Sequence, residues 1–321
     1  MSPAEPMGGA IPLQEPADNA VFPFPYPENA HTIWVNSGRA ALQCLLQALP
    51  MRPARVWLPR YICNTLMQAT ERLQLPTKLY DIDARLYPVI PDDIGREDIL
   101  VAVNYFGLTP HAVEYAAQAA PCPVIMDATT AFYSPPPAGV AAFYSPRKFT
   151  GLAEGGIATA PYELRLQLPQ NPDSDYLSRV LLQNCNESNV QQAEDALTAP
   201  PCRMGNTTRR LMQSTDWALA GRRRLQNYRT LHDALAEINR LTLPPNPAHA
   251  PMCYPLVSGI PELRDALIDQ GVRLPLYWPE VIETTDALQT ENRLARTLLP
   301  LPLDQRYGED DMRKLIRMIL G

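Results

Sequence analysis

The residue with the most distinctive chemistry in this sequence is Lys148. The chain has 28 lysine and arginine residues, and only three of them, Lys78, Lys148 and Lys314, are lysines. A lysine amine can lose its proton and attack a carbonyl group to form an imine, whereas an arginine stays protonated. Lys148 lies in the loop-like run FYSPRKFTGLAEGG, and we interpret it as a candidate imine-forming residue. An ordinary surface-loop lysine is the alternative.

Two other positions could bind a charged ligand. Asp127 follows the apolar run VIM, so its carboxylate is expected at the end of a buried strand. Ser37, Gly38 and Arg39 open the run SGRAALQCLLQAL, whose apolar residues recur at helical spacing. The free N–H groups and the dipole at such a helix start suit a phosphate group. Both positions have a structural alternative, because aspartate caps turns and serine caps helices without any ligand.

Strand-like and helix-like runs alternate through the first half of the chain. Strands are predicted at VWLP (56–59), KLYDID (78–83), DILVAVNYFG (98–107) and PVIMDATTAFY (123–133), and helices at 37–49, 61–74 and 111–120. The run 139–161 predicts a strand, a loop and a second strand with paired glycines at the return. This alternation predicts an α/β fold with a mostly parallel central sheet, helices on both faces, and ligands at the carboxyl ends of the strands.

The chain is long enough for more than one domain. With 321 residues it exceeds the usual size of a single core. We predict a large domain over residues 31–215 and a smaller C-terminal α+β domain over residues 216–321, which opens with a long helix. Residues 1–30 are rich in proline and are predicted to form an extended segment that lies over a partner subunit.

The composition argues against several classes of function. A net charge of -6 argues against nucleic acid as a partner, and the basic run Arg222, Arg223, Arg224 is interpreted as a solvated helix face. The six cysteines are scattered without metal-ligand spacing, so no metal site is expected. No run approaches the roughly 20 apolar residues that cross a bilayer. The N-terminus lacks the basic start and apolar stretch of a signal peptide, so we expect a cytoplasmic protein with no membrane partner.

Four segments in order give the sequence its specificity, namely NSGRAAL, PRYICNTL, VIMDATTAF and FYSPRKFTGLAEGG. Together they resemble the fold-type-I enzymes that use pyridoxal 5′-phosphate (PLP), and within these the DegT/DnrJ/EryC1/StrS family of sugar aminotransferases. The resemblance runs from about Val35 to the C-terminus. There the run LLPLPLDQRYGEDDMRKLIRMI is similar to the closing pattern of that family, a Leu-Pro-Leu strand followed by a terminal helix with an acidic start.

The resemblance implies roles for the candidate residues. Lys148 would form the imine with PLP and move the α-proton of the substrate, in a loop that begins at Ser145 and ends at a Gly-Gly turn, Gly155 and Gly156. Asp127 would pair with the pyridine nitrogen and keep it protonated. The helix start would hold the cofactor phosphate through Ser37, Gly38 and Arg39, where the family usually has Ser-Gly-Thr.

Four other positions are less sharply matched to the family. For the aromatic residue that stacks on the pyridine ring, Tyr61 and Cys63 compete, and Tyr61 is favoured because a thiol has no aromatic face. A tyrosine that only packs in the core is the alternative for Tyr61. Thr130 stands where the family often has histidine or glutamine near the phenolic oxygen, and it can still form a hydrogen bond. Asn104 ends a strand close to the expected cofactor, and a role in the turn that follows the strand is the alternative. The family's inter-subunit asparagine loop is not clearly present, with Asn206 as a loose candidate.

The resemblance implies ping-pong transamination in which glutamate or a similar donor loads the cofactor and a keto sugar, nucleotide-linked, receives the amine. It also implies a homodimer. Two other functions stay open. One is a different PLP reaction on a non-sugar substrate, although Lys148 argues against the sugar dehydratases, which have histidine there. The other is a non-catalytic relative that acts as a binding or regulatory module.

Overall fold

The computed structural model describes residues 6–14, 17, 31–171, 178, 188–189, 193, 197 and 200–321. The strands of this part are β1 (Met7–Gly8), β2 (His31–Val35), β3 (Val56–Pro59), β4 (Thr77–Tyr80), β5 (Ile99–Val103), β6 (Val124–Ala128), β7 (Ala141–Tyr144), β8 (Gly156–Ala160), β9 (Tyr254–Leu256), β10 (Val272–Arg273) and β11 (Leu299–Leu301). The helices are α1 (Gly38–Gln47), α2 (Thr65–Arg72), α3 (Pro110–Ala119), α4 (Asn206–Ser214), α5 (Trp217–Leu235), α6 (Leu263–Asp269), α7 (Glu280–Thr284), α8 (Thr290–Thr297) and α9 (Glu309–Leu320).

A seven-stranded sheet forms the centre of the N-terminal part, with the strand order β2-β8-β7-β6-β5-β3-β4. The contiguous strands from β7 to β4 pair in parallel, and β8 runs antiparallel between β7 and β2. Helices α1, α2 and α3 pack against this sheet. The α/β class with a mostly parallel central sheet is therefore confirmed.

The predicted strands and helices exist, but several of them are shorter than the sequence pattern indicates. The apolar run 98–107 gives a strand only as far as Val103, because Phe106 has a left-handed backbone with φ of 59° and the chain turns there. The pattern 61–74 gives a helix only from Thr65. An apolar run therefore predicts where each of these strands lies. The strand itself ends where the chain turns.

The C-terminal part packs onto the N-terminal part through one continuous hydrophobic core. Its helices α5 and α9 contact each other, and its strands β9 and β11 form an antiparallel pair. Helix α5 begins at Trp217 with Asp216 as its N-cap, as the sequence predicts. The division into domains at residues 215 and 216 stays a prediction.

The described part of the proline-rich N-terminus lies on its own chain. Strand β1 pairs in parallel with β10, and the Gly8 amide donates to the hydroxyl of Tyr307 at 2.6 Å. Arg306 donates to the carbonyl of Ala10 at 3.0 Å. Residues 6–14 therefore lie against the C-terminal part of their own chain, which offers both a strand and an arginine to their backbone. The expectation that the segment also lies over a partner subunit stays a prediction. Residues 1–5, 15–16 and 18–30 lie outside the described residues.

Candidate functional site

The candidate residues come together where the strands of the central sheet end. Asp127 lies near the carboxyl end of β6, Ser145 follows β7, and Ser37 follows β2. These ends face a cavity of about 170 Å³. Seven of the nine residues singled out from the sequence line it, namely Ser37, Gly38, Arg39, Asp127, Thr130, Ser145 and Lys148. Tyr61 and Asn104 are not among its lining residues.

Asp127 is a buried carboxylate, 2% exposed, at the floor of this cavity. Its Oδ1 accepts a hydrogen bond from the backbone amide of Thr129 at 2.8 Å. Burial raises the pKa of the Asp127 carboxyl, while the charge of Lys148 and the hydrogen bonds from Thr129 act in the opposite direction. A buried carboxyl with a raised pKa and a cation nearby marks a functional-site candidate rather than a surface group.

Lys148 lies in a tight turn, Pro146–Lys148, directly after Ser145. Its Nζ donates to the hydroxyl of Thr129 at 3.2 Å, so Thr129 connects the lysine to Asp127. The Lys148 side chain itself is exposed, which leaves the amine accessible to a carbonyl compound. The alternative of a surface lysine fails to explain why this amine lies in the same cavity as the buried carboxylate.

The start of helix α1 is held in place by the Gly-Gly turn that precedes β8. Ser37 is the N-cap, and its hydroxyl accepts from the Ala40 amide at 3.1 Å. The Gly155 amide donates to the Asn36 carbonyl at 2.7 Å. A Cβ at Gly156 would collide with the carbonyl group of Ser37 and lie 2.7 Å from the Gly38 nitrogen. Gly156 is therefore required by the close approach of the two backbones, and the turn positions the helix end rather than a ligand.

Arg39 supplies a positive charge to the cavity wall. Its Nε and Nη1 atoms are buried and have no hydrogen-bond partner among the described residues. Burial and the neighbouring Arg72 lower the pKa of its guanidinium, and Cys63 raises it. Buried donors without acceptors are costly in a folded protein. An anion bound at this end of the cavity would satisfy them.

The other candidates occupy the rear of the site. The hydroxyl of Thr130 donates to the carbonyl of Asn104 at 3.2 Å and accepts from the Phe106 amide at 3.1 Å. The Oδ1 of Asn104 accepts from the Thr109 amide at 2.9 Å, while its Nδ2 is buried without a partner in the described structure. Thr130 and Asn104 therefore shape the turn after β5. Asn206 is exposed at the start of α4.

Tyr61 is turned away from the cavity. Its side chain is 0% exposed, with its ring centroid 5.6 Å from that of Tyr105 and 4.5 Å from that of Trp278. Burial strongly raises the pKa of its hydroxyl. Ile62 and Cys63 line the cavity instead. The structure thus places the residue that was favoured for ring stacking in the core behind the site.

Several lining residues were missed or passed over in the sequence. Thr129 is the most informative, since it contacts both Asp127 and Lys148, and its place two residues after a strand-end aspartate was the available signal. Trp278 is far away in the sequence, so no local pattern could place it here. The remaining lining residues that were not singled out are Ile62, Thr65, Leu66, Val103, Arg147 and Leu197.

The backbone after Lys148 is fixed by a fully buried arginine. Arg224 is 0% exposed, and its Nη2 donates to the Phe149 carbonyl at 3.2 Å. Gln305 donates to the same carbonyl at 2.8 Å and accepts from Arg224 Nε at 2.9 Å. Arg224 also donates to the carbonyls of Pro251 and Met252. The expectation of a solvated basic face is therefore wrong for Arg224, because it points into the core while Arg222 and Arg223 are exposed.

Replacing Arg224 with methionine should destabilise the protein. The apolar chain would fill much of the same space but would leave buried carbonyls without donors. We expect a loss of roughly 2–3 kcal/mol in the free energy of unfolding, as for hydrogen bonds to a charged group. Urea unfolding measures this loss. The exposed Arg222→Met variant is the matched control and should change the free energy by less than about 0.5 kcal/mol. Equal effects of the two variants would contradict the assignment.

The described residues contain neither a metal-binding cluster nor a membrane-spanning helix. No group of three or more histidine, cysteine, aspartate or glutamate side chains there is placed to hold a metal ion. None of the helices in the same part of the chain has the length and apolar character needed to cross a membrane.

No protein-family model matches the sequence, and no curated protein matches it. Solved structures do match. The sugar aminotransferase CalS13 from Micromonospora echinospora is 18% identical, with a TM-score of 0.62 over 90% of this chain and 86% of that one. A DegT DnrJ EryC1 StrS aminotransferase from Brucella abortus is 16% identical, with a TM-score of 0.62 over 90% and 85%. NtdA from Bacillus subtilis, solved with bound cofactor PMP, is 17% identical, with a TM-score of 0.60 over 90% and 73%.

These likenesses show the fold. The chain has the fold of the fold-type-I PLP-dependent aminotransferases, and the resemblance drawn from four sequence segments is confirmed at that level. The same fold can carry different activities, so activity has to be argued from the site itself.

Proposed function

We propose that the chain binds PLP through an imine to Lys148 and acts as an aminotransferase. The observation that carries the proposal is that Lys148 and the buried Asp127 line one cavity and are connected through Thr129. The sugar aminotransferases of the same fold support the reaction class. The acceptor we propose is a keto sugar, nucleotide-linked, and the donor is glutamate.

The residues present fit the cofactor in its three charged or reactive regions. The Lys148 amine can bind its aldehyde, and the Asp127 carboxylate can pair with its ring nitrogen. The N-terminus of α1 and the unpartnered guanidinium atoms of Arg39 can bind its phosphate. Ser145 lies beside Gly38, because a Cβ added at Gly38 would be 3.5 Å from the Ser145 Cβ. The Ser145 hydroxyl is therefore at the phosphate end of the cavity.

Each residue then has a defined part in the reaction. The bound cofactor supplies an electron-withdrawing ring that accepts the electrons released when a substrate C–H bond breaks. Asp127 would hold a proton on the ring nitrogen, because an opposite charge close to the carboxylate favours the charged form of both groups. The Lys148 amine would act as the base that takes the proton from the substrate carbon and returns it. The hydroxyl of Thr129 would hold the Lys148 amine in position for this proton transfer.

The dimensions of the cavity bear on the substrate. Its volume of about 170 Å³ is below the roughly 300–1,000 Å³ of pockets that enclose a drug-sized ligand. The reacting groups therefore fit inside, and a nucleotide part would lie outside the mouth. The homodimer belongs to the same proposal and rests on the family resemblance. The cytoplasmic location is proposed with it and rests on the composition of the sequence.

Amine transfer from labelled glutamate tests the proposed activity. The protein loaded with PLP and supplied with ¹⁵N-glutamate and a panel of nucleotide-linked keto sugars should give a labelled amino sugar. Transfer only to keto acids would favour the non-sugar PLP reaction. Cofactor binding without transfer from any donor to any acceptor would contradict the aminotransferase and favour the binding module.

A further inference from the structure

One aromatic ring lies in the wall of the cavity, and it comes from the C-terminal part of the chain. Trp278 follows β10 and precedes α7. Of the described residues that line the cavity, it is the one with an aromatic side chain. It therefore brings to the site a surface that none of the strand-end residues supplies.

The backbone of Trp278 adopts an unusual conformation. Its φ is 54°, in the left-handed region, where a bulky side chain is rare. Such a conformation is strained and persists where the surrounding structure determines it, often at ligand sites. The structure thus fixes Trp278 in a position that its own backbone preference does not favour.

A group of aromatic residues packs against the indole of Trp278. The Tyr61 ring meets it edge-on, with centroids 4.5 Å apart and planes at 85°. The Phe106 ring lies nearly parallel to it, at 6.4 Å and 15°, and Tyr105 is 5.9 Å away. With these contacts on one side and the cavity on another, the indole is a rigid part of the cavity wall.

We propose that Trp278 provides the aromatic surface against which the pyridine ring of the cofactor packs, in the role that the sequence assigns to Tyr61. Tyr61 cannot do so, because it is fully buried behind Trp278. Ile62 and Cys63, which line the cavity at that strand end, have no aromatic face. This inference rests on the proposed PLP binding. It makes the C-terminal part a direct contributor to the cofactor site.

The test compares Trp278→Ala and Trp278→Phe in the full-length protein with added PLP. We expect Trp278→Ala to weaken PLP affinity about 3- to 10-fold, the range for one aromatic pair. Trp278→Phe keeps an aromatic ring and should stay within about 2-fold of the native affinity. The chain has four tryptophans, and Trp278→Phe should remove most of the quenching of tryptophan fluorescence that PLP causes.

Trp57→Phe is the matched control. The Trp57 indole donates to Asp98 at 3.0 Å, and Asp98 precedes β5, so this ring lies toward the amino ends of the strands. The control should keep native affinity and quenching. If Trp278→Ala binds PLP as tightly as the native protein with unchanged quenching, the role of Trp278 is overturned while the proposed function stands. If the native protein binds no PLP, both fail.

Discussion

Lys148→Ala should remove the imine absorbance above 400 nm, the range expected for a protonated PLP imine. It should also reduce the transfer of the glutamate amine by at least about 10⁴-fold, because the variant loses the group that binds the cofactor and moves the proton. Alanine leaves the turn Pro146–Lys148 intact, since that turn is held by backbone bonds from Lys148 and Phe149 and by Arg224 on the Phe149 carbonyl. The measurement is an absorbance spectrum with PLP, followed by single-turnover amine transfer.

The chain offers its own controls for this experiment. Lys78 and Lys314 are its other lysines, and both are exposed. Lys78→Ala and Lys314→Ala should keep the native spectrum and the native rate. A Lys148→Ala protein that turns over at the native rate would exclude Lys148 as the imine-forming residue, whatever the cofactor does.

Asp127→Asn should have opposite effects on activity and on the stability of the cofactor-free protein. Activity should fall about 100- to 1,000-fold, the loss seen when one preorganised electrostatic partner is removed, because asparagine cannot hold a proton on the ring nitrogen as an ion pair. The unfolding temperature without cofactor should rise at neutral pH by roughly 1–2 °C, which corresponds to about 1 kcal/mol in a chain of 321 residues.

The sign of the stability effect follows from the pKa. Burial raises the pKa of Asp127 in the folded chain, so the folded protein holds that proton more tightly than the unfolded one. Stability from this group is present below the unfolded pKa of about 3.9 and is lost as pH rises through the folded value. Asparagine does not titrate, so the advantage of the variant should grow as pH rises through this window.

Asp98 provides the matched control because it is as deeply buried as Asp127 but its pKa is shifted in the opposite direction. Burial raises its pKa, yet hydrogen bonds from Arg55, the Gly95 amide and Trp57 outweigh burial and lower it. Its contribution to stability is present above the unfolded pKa and is lost as pH falls through the folded value. Asp98→Asn should therefore destabilise the protein at neutral pH. Destabilisation of the cofactor-free protein by both variants would contradict the assignment of Asp127 as a charge without a sufficient partner.

The sequence located seven of the sixteen residues that line the cavity, and these seven include the charged or reactive groups of Arg39, Asp127 and Lys148. Ser37 and Ser145 follow strands and Asp127 lies near the end of one, and parallel strands bring their carboxyl ends to one edge. Residue type then indicated the chemistry of Lys148 and Asp127. Such reasoning works where a short pattern both ends an element and supplies a functional side chain.

The rest of the site depends on contacts between distant parts of the chain. Trp278 reaches the cavity from the C-terminal part, and Arg224 reaches the Phe149 carbonyl from α5. A basic run is usually solvated, and nothing in its sequence shows that only Arg224 points inward. The aromatic ring of Tyr61 favours it for stacking on the cofactor. Which of the residues after β3 face the cavity depends on how the chain bends there, and Ile62 and Cys63 face it instead.

Borohydride reduction of the PLP-loaded protein, followed by peptide mass mapping, tests the central claim most directly. Reduction fixes an imine as a stable amine, and three lysines make the assignment unambiguous. The account predicts a pyridoxyl phosphate group on the peptide that contains Lys148, with Lys78 and Lys314 unmodified. When glutamate is added before reduction, the Lys148 peptide should no longer carry this group. Labelling at Lys78 or Lys314, or no labelling at any PLP concentration, would contradict it.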